Sequence, residues 1–231
     1  LTLNRLAKQG AVAPVRDQGH CGSSYAIAAT GALEGQFFTQ YGELTELSIQ
    51  NILDCSSSFG NLGCDGGIIE ACYDYIKTAG GINTEKDYPY EAKTDTCRFN
   101  RTAVAANCTV NDRFEFKSSL IDLGYVDIEP GDENALTYAI SIRGPIAVGF
   151  DGSHSSFQFY QSGVYDEPQC SSTAPSHAGL AVGFNATDTQ LYYIVRNSFT
   201  TAWGINGYIW MSRQKQNQCG IASNASWPRV Y

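Results

Sequence analysis

Gln18-Gly-His-Cys-Gly-Ser-Ser-Tyr-Ala26 runs from a glycine-broken turn straight into a helix-forming stretch, and it places a hydroxyl, that of Ser24, at the turning point. From Ser24 to Phe38 apolar side chains recur at near-helical spacing, and the small Gly31 and Gly35 permit close backbone approach. A helix N-terminus offers free N–H groups and a partial positive charge, which stabilise an anion formed beside it. Gln18 can donate a side-chain N–H to the same anion. Ser24 also reads as a plain N-cap, a position that serine often fills.

Ile68 to Thr78 carries a second helical stripe and stops at Gly80-Gly81, a C-cap signal. The second half of the chain changes character. Ile146–Phe150, Ala178–Phe184, Leu191–Arg196 and Gly207–Met211 are short, β-branched or aromatic, and bounded by Gly, Asn or Asp. Asn185 to Gln190 reads as a hairpin loop, and Phe114 to Asp122 as an inserted surface segment. Helices followed by strands predict an α+β architecture of two lobes with a cleft between them. Of the three histidines, His20, His154 and His177, only the last immediately precedes a strand that fixes its ring. Asn197, at the end of the next strand, can orient that ring through its side-chain carbonyl. Phe199 and Trp203 follow; they either shield the bond from water or serve as core aromatics of the strand-rich lobe.

Composition narrows the class. The 231 residues are 43% hydrophobic and 16% charged, which argues for a packed globule over disorder. The net charge of −8 disfavours binding to nucleic acid or to an anionic membrane. No apolar run approaches the roughly 20 residues of a membrane span. Leu1 to Gly10 lacks the layout of a signal peptide, so the chain reads as a mature piece of something longer. Eight cysteines without a C-x-x-C pair argue against a zinc ribbon or a thioredoxin-like site and for disulfides, hence secretion or a vesicular, lysosome-like lumen. Sequons at Asn100, Asn107, Asn185 and Asn224 agree with a secreted glycoprotein. No metal site or cofactor motif is legible.

Several stretches in one order carry a resemblance: Gln18…Cys21-Gly-Ser-Ser-Tyr-Ala26, Cys64-Asp-Gly-Gly67, Ser176-His-Ala-Gly179, Arg196-Asn-Ser-Phe199, Trp203-Gly-x-x-Gly-Tyr208 and Cys219-Gly-Ile-Ala-Ser223. Together they resemble the papain/cathepsin L family over nearly the whole chain. The resemblance implies a single papain-like domain over residues 1–231, mature and without its propeptide, with a helical left lobe, a β-barrel-like right lobe and the active site in the cleft. It places the nucleophile at Ser24, the general base at His177, its orienter at Asn197 and the oxyanion donor at Gln18. It assigns substrate contacts to Tyr25, Gly66, Gly67, Ile68, Ile69, Trp203 and Asn224. Of these, Ile68, Ile69 and Asn224 line the pocket for the second residue upstream of the cleaved bond. It also implies disulfides Cys21–Cys64, Cys55–Cys97 and Cys170–Cys219, leaving Cys72 and Cys108 to pair with each other or not.

The chain departs from the family at chosen points. Ser24-Tyr25 stands where the family has Cys-Trp, Ser176 where Asp or Asn precedes the histidine, and Phe199 where a Trp follows Asn-Ser. A thiol can surrender its proton to histidine before substrate arrives, whereas a serine hydroxyl is far too weak an acid. The expectation is therefore that the chain is not a competent cysteine protease. Ser-Ser-Tyr-Ala resembles the silicateins, cathepsin L-like proteins of sponge spicule filaments. That resemblance implies hydrolysis and condensation of silicic acid esters, silica or silicic acid as partner, self-assembly into filaments and an extracellular spicule location. Two other readings stand beside it: an inactive homologue with a binding or structural role, and a Cys-to-Ser mutant of a protease, against which Tyr25 weighs.

Overall fold

The computed structural model describes residues 10–106 and 124–230. Phe114–Asp122, Asn107 and Cys108 lie outside the described residues. Helix α1 (Ser24–Tyr41) is buried on every side along Ser24–Gly35, which is why its sequence is apolar or small all round and not striped. It runs three residues beyond the expected end and stops where Gly42, in the left-handed region at φ 77°, donates its N–H to the Phe38 carbonyl at 2.7 Å. Two helices complete this lobe, α2 (Ile49–Cys55) and α3 (Ile69–Ala79). Ser48 caps α2 by accepting the Asn51 N–H, and Gly80 ends α3 in the left-handed conformation. Strands β1 (Ile82–Asn83) and β2 (Val104–Ala106) form a small antiparallel pair beside them.

The second lobe is a seven-stranded sheet of β3 (Tyr125–Asp127), β4 (Ile146–Phe150), β5 (Val164–Tyr165), β6 (His177–Ala186), β7 (Leu191–Arg196), β8 (Tyr208–Ser212) and β9 (Asn224–Pro228). Their order is β3-β9-β4-β6-β7-β8-β5, and every neighbouring pair is antiparallel except β5 with β8. Helix α4 (Glu133–Ile142) is capped by the Asp132 carboxylate, which accepts the Asn134 and Ala135 N–H groups. A single turn, α5 (Ser155–Gln158), follows β4.

Side chains alternate across the sheet, so its two faces belong to different cores. Ala147, Leu180, Val182, Tyr192 and Ile194 join the core of the helical lobe, packed with residues of α1 such as Ile27 and Leu33. Ile146, Val148, Phe150, Ala181, Tyr193 and Val195 join a second core with Leu136 and Ile140 of α4. This double burial explains why the strands read as continuous apolar runs.

The joint between the lobes is close because α1 carries two glycines toward it. A Cβ at Gly35 would lie 2.7 Å from the Pro145 ring. A Cβ at Gly31 would collide with the Arg196 guanidinium and touch Leu180 at 3.0 Å. Arg196, 2% exposed, also donates from Nη1 to the Ala13 carbonyl at 2.8 Å.

Disulfides Cys21–Cys64 and Cys55–Cys97 staple the helical lobe, and Cys170–Cys219 staples the sheet lobe. Cys72 takes no part in them; its thiol donates to the Ile68 carbonyl at 3.3 Å.

Reducing the three disulfides should lower the melting temperature markedly, since bridges of this kind contribute roughly 2–4 kcal/mol each. An unchanged melting curve after full reduction would contradict this. Gly31→Ala should cost about 1–3 kcal/mol through overpacking against Arg196 and Leu180. Urea unfolding with a midpoint equal to wild type would show that the joint yields freely.

Candidate active site

Ser24 is the first residue of α1 and His177 the first of β6, so both stand where an element meets the space between the lobes. They line one cleft of about 410 Å³, together with Gln18, Tyr25, Gly66, Gly67, Ile68, Ile69 and Asn224. Gly149, Pro175 and Ala178 complete its far wall. Close backbone contact sets the position of Ser24. The Gly22 N–H donates to the Cys64 carbonyl at 2.8 Å, next to the Cys21–Cys64 bridge, and a Cβ at Gly22 would lie 2.6 Å from that same oxygen. The Ser24 hydroxyl oxygen accepts the Ala178 N–H at 3.3 Å, which joins it to the residue after His177.

His177 Nε2 lies 2.7 Å from Asn197 Oδ1. The Ser198 N–H donates to that same oxygen at 2.8 Å, so the amide presents its carbonyl, and Nε2 carries the proton. Nδ1 is then the unprotonated ring nitrogen. Asn197 is 1% exposed, and the imidazole packs against Phe199 at 5.0 Å, Phe157 at 5.3 Å and Phe150 at 5.5 Å between ring centres. Phe199 thus covers the ring although it is not a tryptophan. Burial among these rings lowers the His177 pKa to about 4, against the opposing pull of the Asn197 hydrogen bond.

Gln18 is oriented by groups that sequence reasoning missed. Its Oε1 accepts the Ser198 hydroxyl at 2.5 Å, and its Nε2 donates one N–H to the Cys21 carbonyl at 2.8 Å, leaving the second N–H for the cleft. Ser198 was within the Arg196–Phe199 motif, but nothing in the motif says which way its hydroxyl turns. No side chain caps the first turn of α1. Tyr90 donates to the Gln18 carbonyl and receives the Ser23 hydroxyl at 2.6 Å, which draws Ser23 away from capping. The first-turn N–H groups therefore remain open to an incoming oxygen.

The other expected residues are less uniform. Tyr25, 3% exposed, donates to the Gly63 carbonyl at 3.0 Å and packs so tightly against Gly67 that a Cβ there would strike its ring. Ile68 is 51% exposed on the rim, whereas Ile69 is buried behind it. Trp203 does not line the cleft; it donates to the Gln158 carbonyl and packs against Phe157, Tyr160 and Phe199. Ser176, the residue immediately before His177, accepts the Gly152 N–H and donates to Asp151. Burial pushes the Asp151 carboxyl up, but hydrogen bonds from Ser153 and Ser171 outweigh it and hold the group at about 2. Asp151, His154 and Cys170 approach one another, yet the Cys170 sulfur is bound to Cys219 and supplies no thiolate.

Comparison with known proteins places this geometry. The sequence model of papain family cysteine proteases matches residues 3–229. A cathepsin L-like peptidase of Aedes aegypti is 50% identical over 224 residues, 96% of this chain and 62% of that protein. Cathepsin L1 of Drosophila melanogaster is 48% identical over 223 residues, 96% of this chain and 56% of that protein. The structure of digestive procathepsin L 3 from Tenebrio molitor larval midgut superimposes with a TM-score of 0.86 at 41% identity, covering 95% of this chain and 67% of that one. The chain thus spans under two thirds of the length of these two curated relatives.

These relatives overturn the silica reading. They are cathepsins and peptidases, and with them fall the silicatein assignment, the silicic acid or silica partner, the filament assembly and the spicule location. The expectation of lost peptidase chemistry falls on the same finding. It assumed a cleft suited only to a thiolate–imidazolium pair, whereas burial here holds His177 neutral, the state that removes a proton from a hydroxyl.

A neutral native His177 has a consequence for stability. The unfolded chain takes up a proton near 6.5 and the native ring only near 4, so this group's stabilisation is complete above 6.5 and is lost as pH falls toward 4. Ring-nitrogen NMR should find His177 neutral at pH 5.5. A native titration at 6 or above would refute the burial argument.

Proposed function

The chain belongs to the papain family of cysteine proteases, and on that premise we propose that it is a cathepsin L-like peptidase that cleaves peptide bonds with Ser24 as nucleophile. The observation that carries this reading is the His177–Asn197 hydrogen bond, which leaves a neutral Nδ1 as base in the cleft that Ser24 lines. A peptide enters that cleft with its carbonyl carbon facing Ser24. Oγ forms a bond to the carbon while His177 Nδ1 takes the hydroxyl proton. Because no ion pair precedes substrate, proton removal and attack belong to one step.

The carbonyl oxygen becomes an oxyanion beside the first turn of α1. The open N–H groups there and the second N–H of Gln18 are its donors, and donors aimed at such an oxygen contribute about 10²–10³-fold each in acyl transfer. Collapse of the adduct breaks the C–N bond, and His177 returns its proton to the leaving amine. Water then attacks the ester on Ser24, losing a proton to His177; the C–Oγ bond breaks, His177 passes that proton to Ser24 Oγ, and the carboxylic acid leaves. Asn197 holds the ring in the required tautomer throughout, and Phe199 keeps water from that bond. The three disulfides support residence in a secreted or lysosome-like lumen.

Fluorogenic dipeptide and tripeptide substrates test the reading. Ser24→Ala should lower turnover on the order of 10⁶-fold, as loss of a serine nucleophile does. Ser24→Cys should keep turnover and bring with it inactivation by iodoacetamide, to which the native protein should be insensitive. Peptidase activity that survives Ser24→Ala, or that iodoacetamide abolishes in the native protein, would move the chemistry away from Ser24.

A further inference from the structure

His154 stands on the short loop between β4 and α5, and the peptidase reading leaves it without a use. Its Nε2 lies 3.3 Å from Asp151 Oδ2. Cys170, from the segment between β5 and β6, joins them: a ring nitrogen, a carboxylate oxygen and Sγ all lie within 4.8 Å of one another. Asp151 is buried, whereas His154 and Cys170 are partly exposed. A tetrahedral zinc ion with nitrogen and oxygen ligands at about 2.0–2.1 Å holds those two atoms about 3.3 Å apart. The His154–Asp151 pair already stands at that spacing. Asp151 is also fixed in direction, since Oδ1 accepts the Ser153 N–H and hydroxyl and Oδ2 accepts the Ser171 N–H at 2.8 Å. Ligating carboxylates are held by hydrogen bonds of this kind.

The Cys170–Cys219 bond is what closes this cluster to a metal, because a thiolate is the ligand and a disulfide sulfur is not. Cys219 belongs to the same spot. Its carbonyl accepts the Asp151 N–H at 2.8 Å, and its Cα lies 4.6 Å from that of Cys170. Breaking the bridge therefore frees two thiols beside the histidine and the carboxylate. The cluster backs onto the cleft: the missing Cβ of Gly152, next to Asp151, would lie 2.9 Å from the His177 Cβ.

We propose that Cys170, Cys219, His154 and Asp151 form a redox-gated zinc site, closed while the disulfide stands and opened by a dithiol reductant. Two electrons and two protons pass from the dithiol to the S–S bond. The dithiol becomes a cyclic disulfide, and Cys170 and Cys219 become thiols. Zinc then binds both sulfurs as thiolates, releasing the two protons, and takes His154 Nε2 and Asp151 Oδ2 as its other ligands. Thiolates with an imidazole select zinc over magnesium or calcium.

The test titrates the full chain with cobalt(II), whose charge-transfer absorption reports thiolate ligands and whose d–d bands report tetrahedral geometry, and then displaces it with zinc. The reductant is a water-soluble phosphine, which cleaves the same bond without competing for metal as a dithiol does. Oxidised native protein should show neither signal, and reduced native protein should show both. The other cysteines are reduced as well, so His154→Ala, which leaves every thiol in place, is the deciding variant. It should weaken binding by more than the roughly 10–100-fold that loss of an outer-shell partner costs. Cys219→Ser frees the Cys170 thiol with no reductant and keeps the other two bridges. It should bind cobalt through Cys170, His154 and Asp151, and lose it when His154→Ala is added. Equal binding by the oxidised chain, an affinity unmoved by His154→Ala, or no thiolate signal from either protein overturns the inference. Bound metal is the readout, so failure of the peptidase reading leaves the outcome unchanged.

Discussion

Arg196 is a charged side chain with 2% exposure, and the site is assembled around it. Its guanidinium occupies the space that any side chain at residue 31 would take, and it ties the N-terminal segment through the Ala13 carbonyl. Burying such a charge is tolerable only with partners held in place. Glu34, one turn along α1 from Gly31, carries the carboxyl whose ionised form Arg196 favours. Burial pushes its carboxyl up to about 7 even though Arg196 and the Leu47 N–H pull it down. Helix, sheet and N-terminal segment are thereby held in one arrangement. Asn197 is the next residue after Arg196, so anchoring the guanidinium also anchors the amide that holds His177.

Much of this was legible in the chain. The apolar run from Ser24, the stripe from Ile68 and the strands at Ile146–Phe150 and Leu191–Arg196 all announce themselves, because each is long or apolar enough to carry its own period. Helices α2 and α4 do not. They are short, and the caps at Ser48 and Asp132 that start them are single polar residues among many. Gly31 and Gly35 were readable as points of close approach, but what approaches them was not, since Arg196 and Pro145 are distant in sequence.

The site divides in the same way. Ser24, His177, Asn197 and Gln18 can be named from motifs, while the groups that aim them cannot. Ser198 turns Gln18 through one hydroxyl, and Tyr90 removes Ser23 from the helix cap. Reading Ser24-Tyr25 as the mark of silica chemistry gave two residues more weight than the rest of the chain. The protonation state of His177 decides what a hydroxyl there can do, and it depends on Phe150, Phe157 and Phe199 converging on one ring. No local pattern encodes that convergence. Tyr25, read as a departure, has a structural use of its own: its hydroxyl bonds Gly63 and its ring fills the space over Gly67.

The disulfides are distributed unevenly with respect to the joint. Two lie within the helical lobe and one within the sheet lobe, and none of the three crosses between them. Each half is covalently reinforced, but their mutual placement depends on packing, on Arg196 and on backbone bonds such as Gln18 N–H to the Ser198 carbonyl at 2.9 Å. That joint is no thin seam, since Ala147, Leu180, Val182, Tyr192 and Ile194 of the sheet belong to the same core as Ile27 and Leu33 of α1. Separating Ser24 from His177 would strip the inner face of the sheet from the helices it buries, so the cleft and the helical lobe's core stand or fall together.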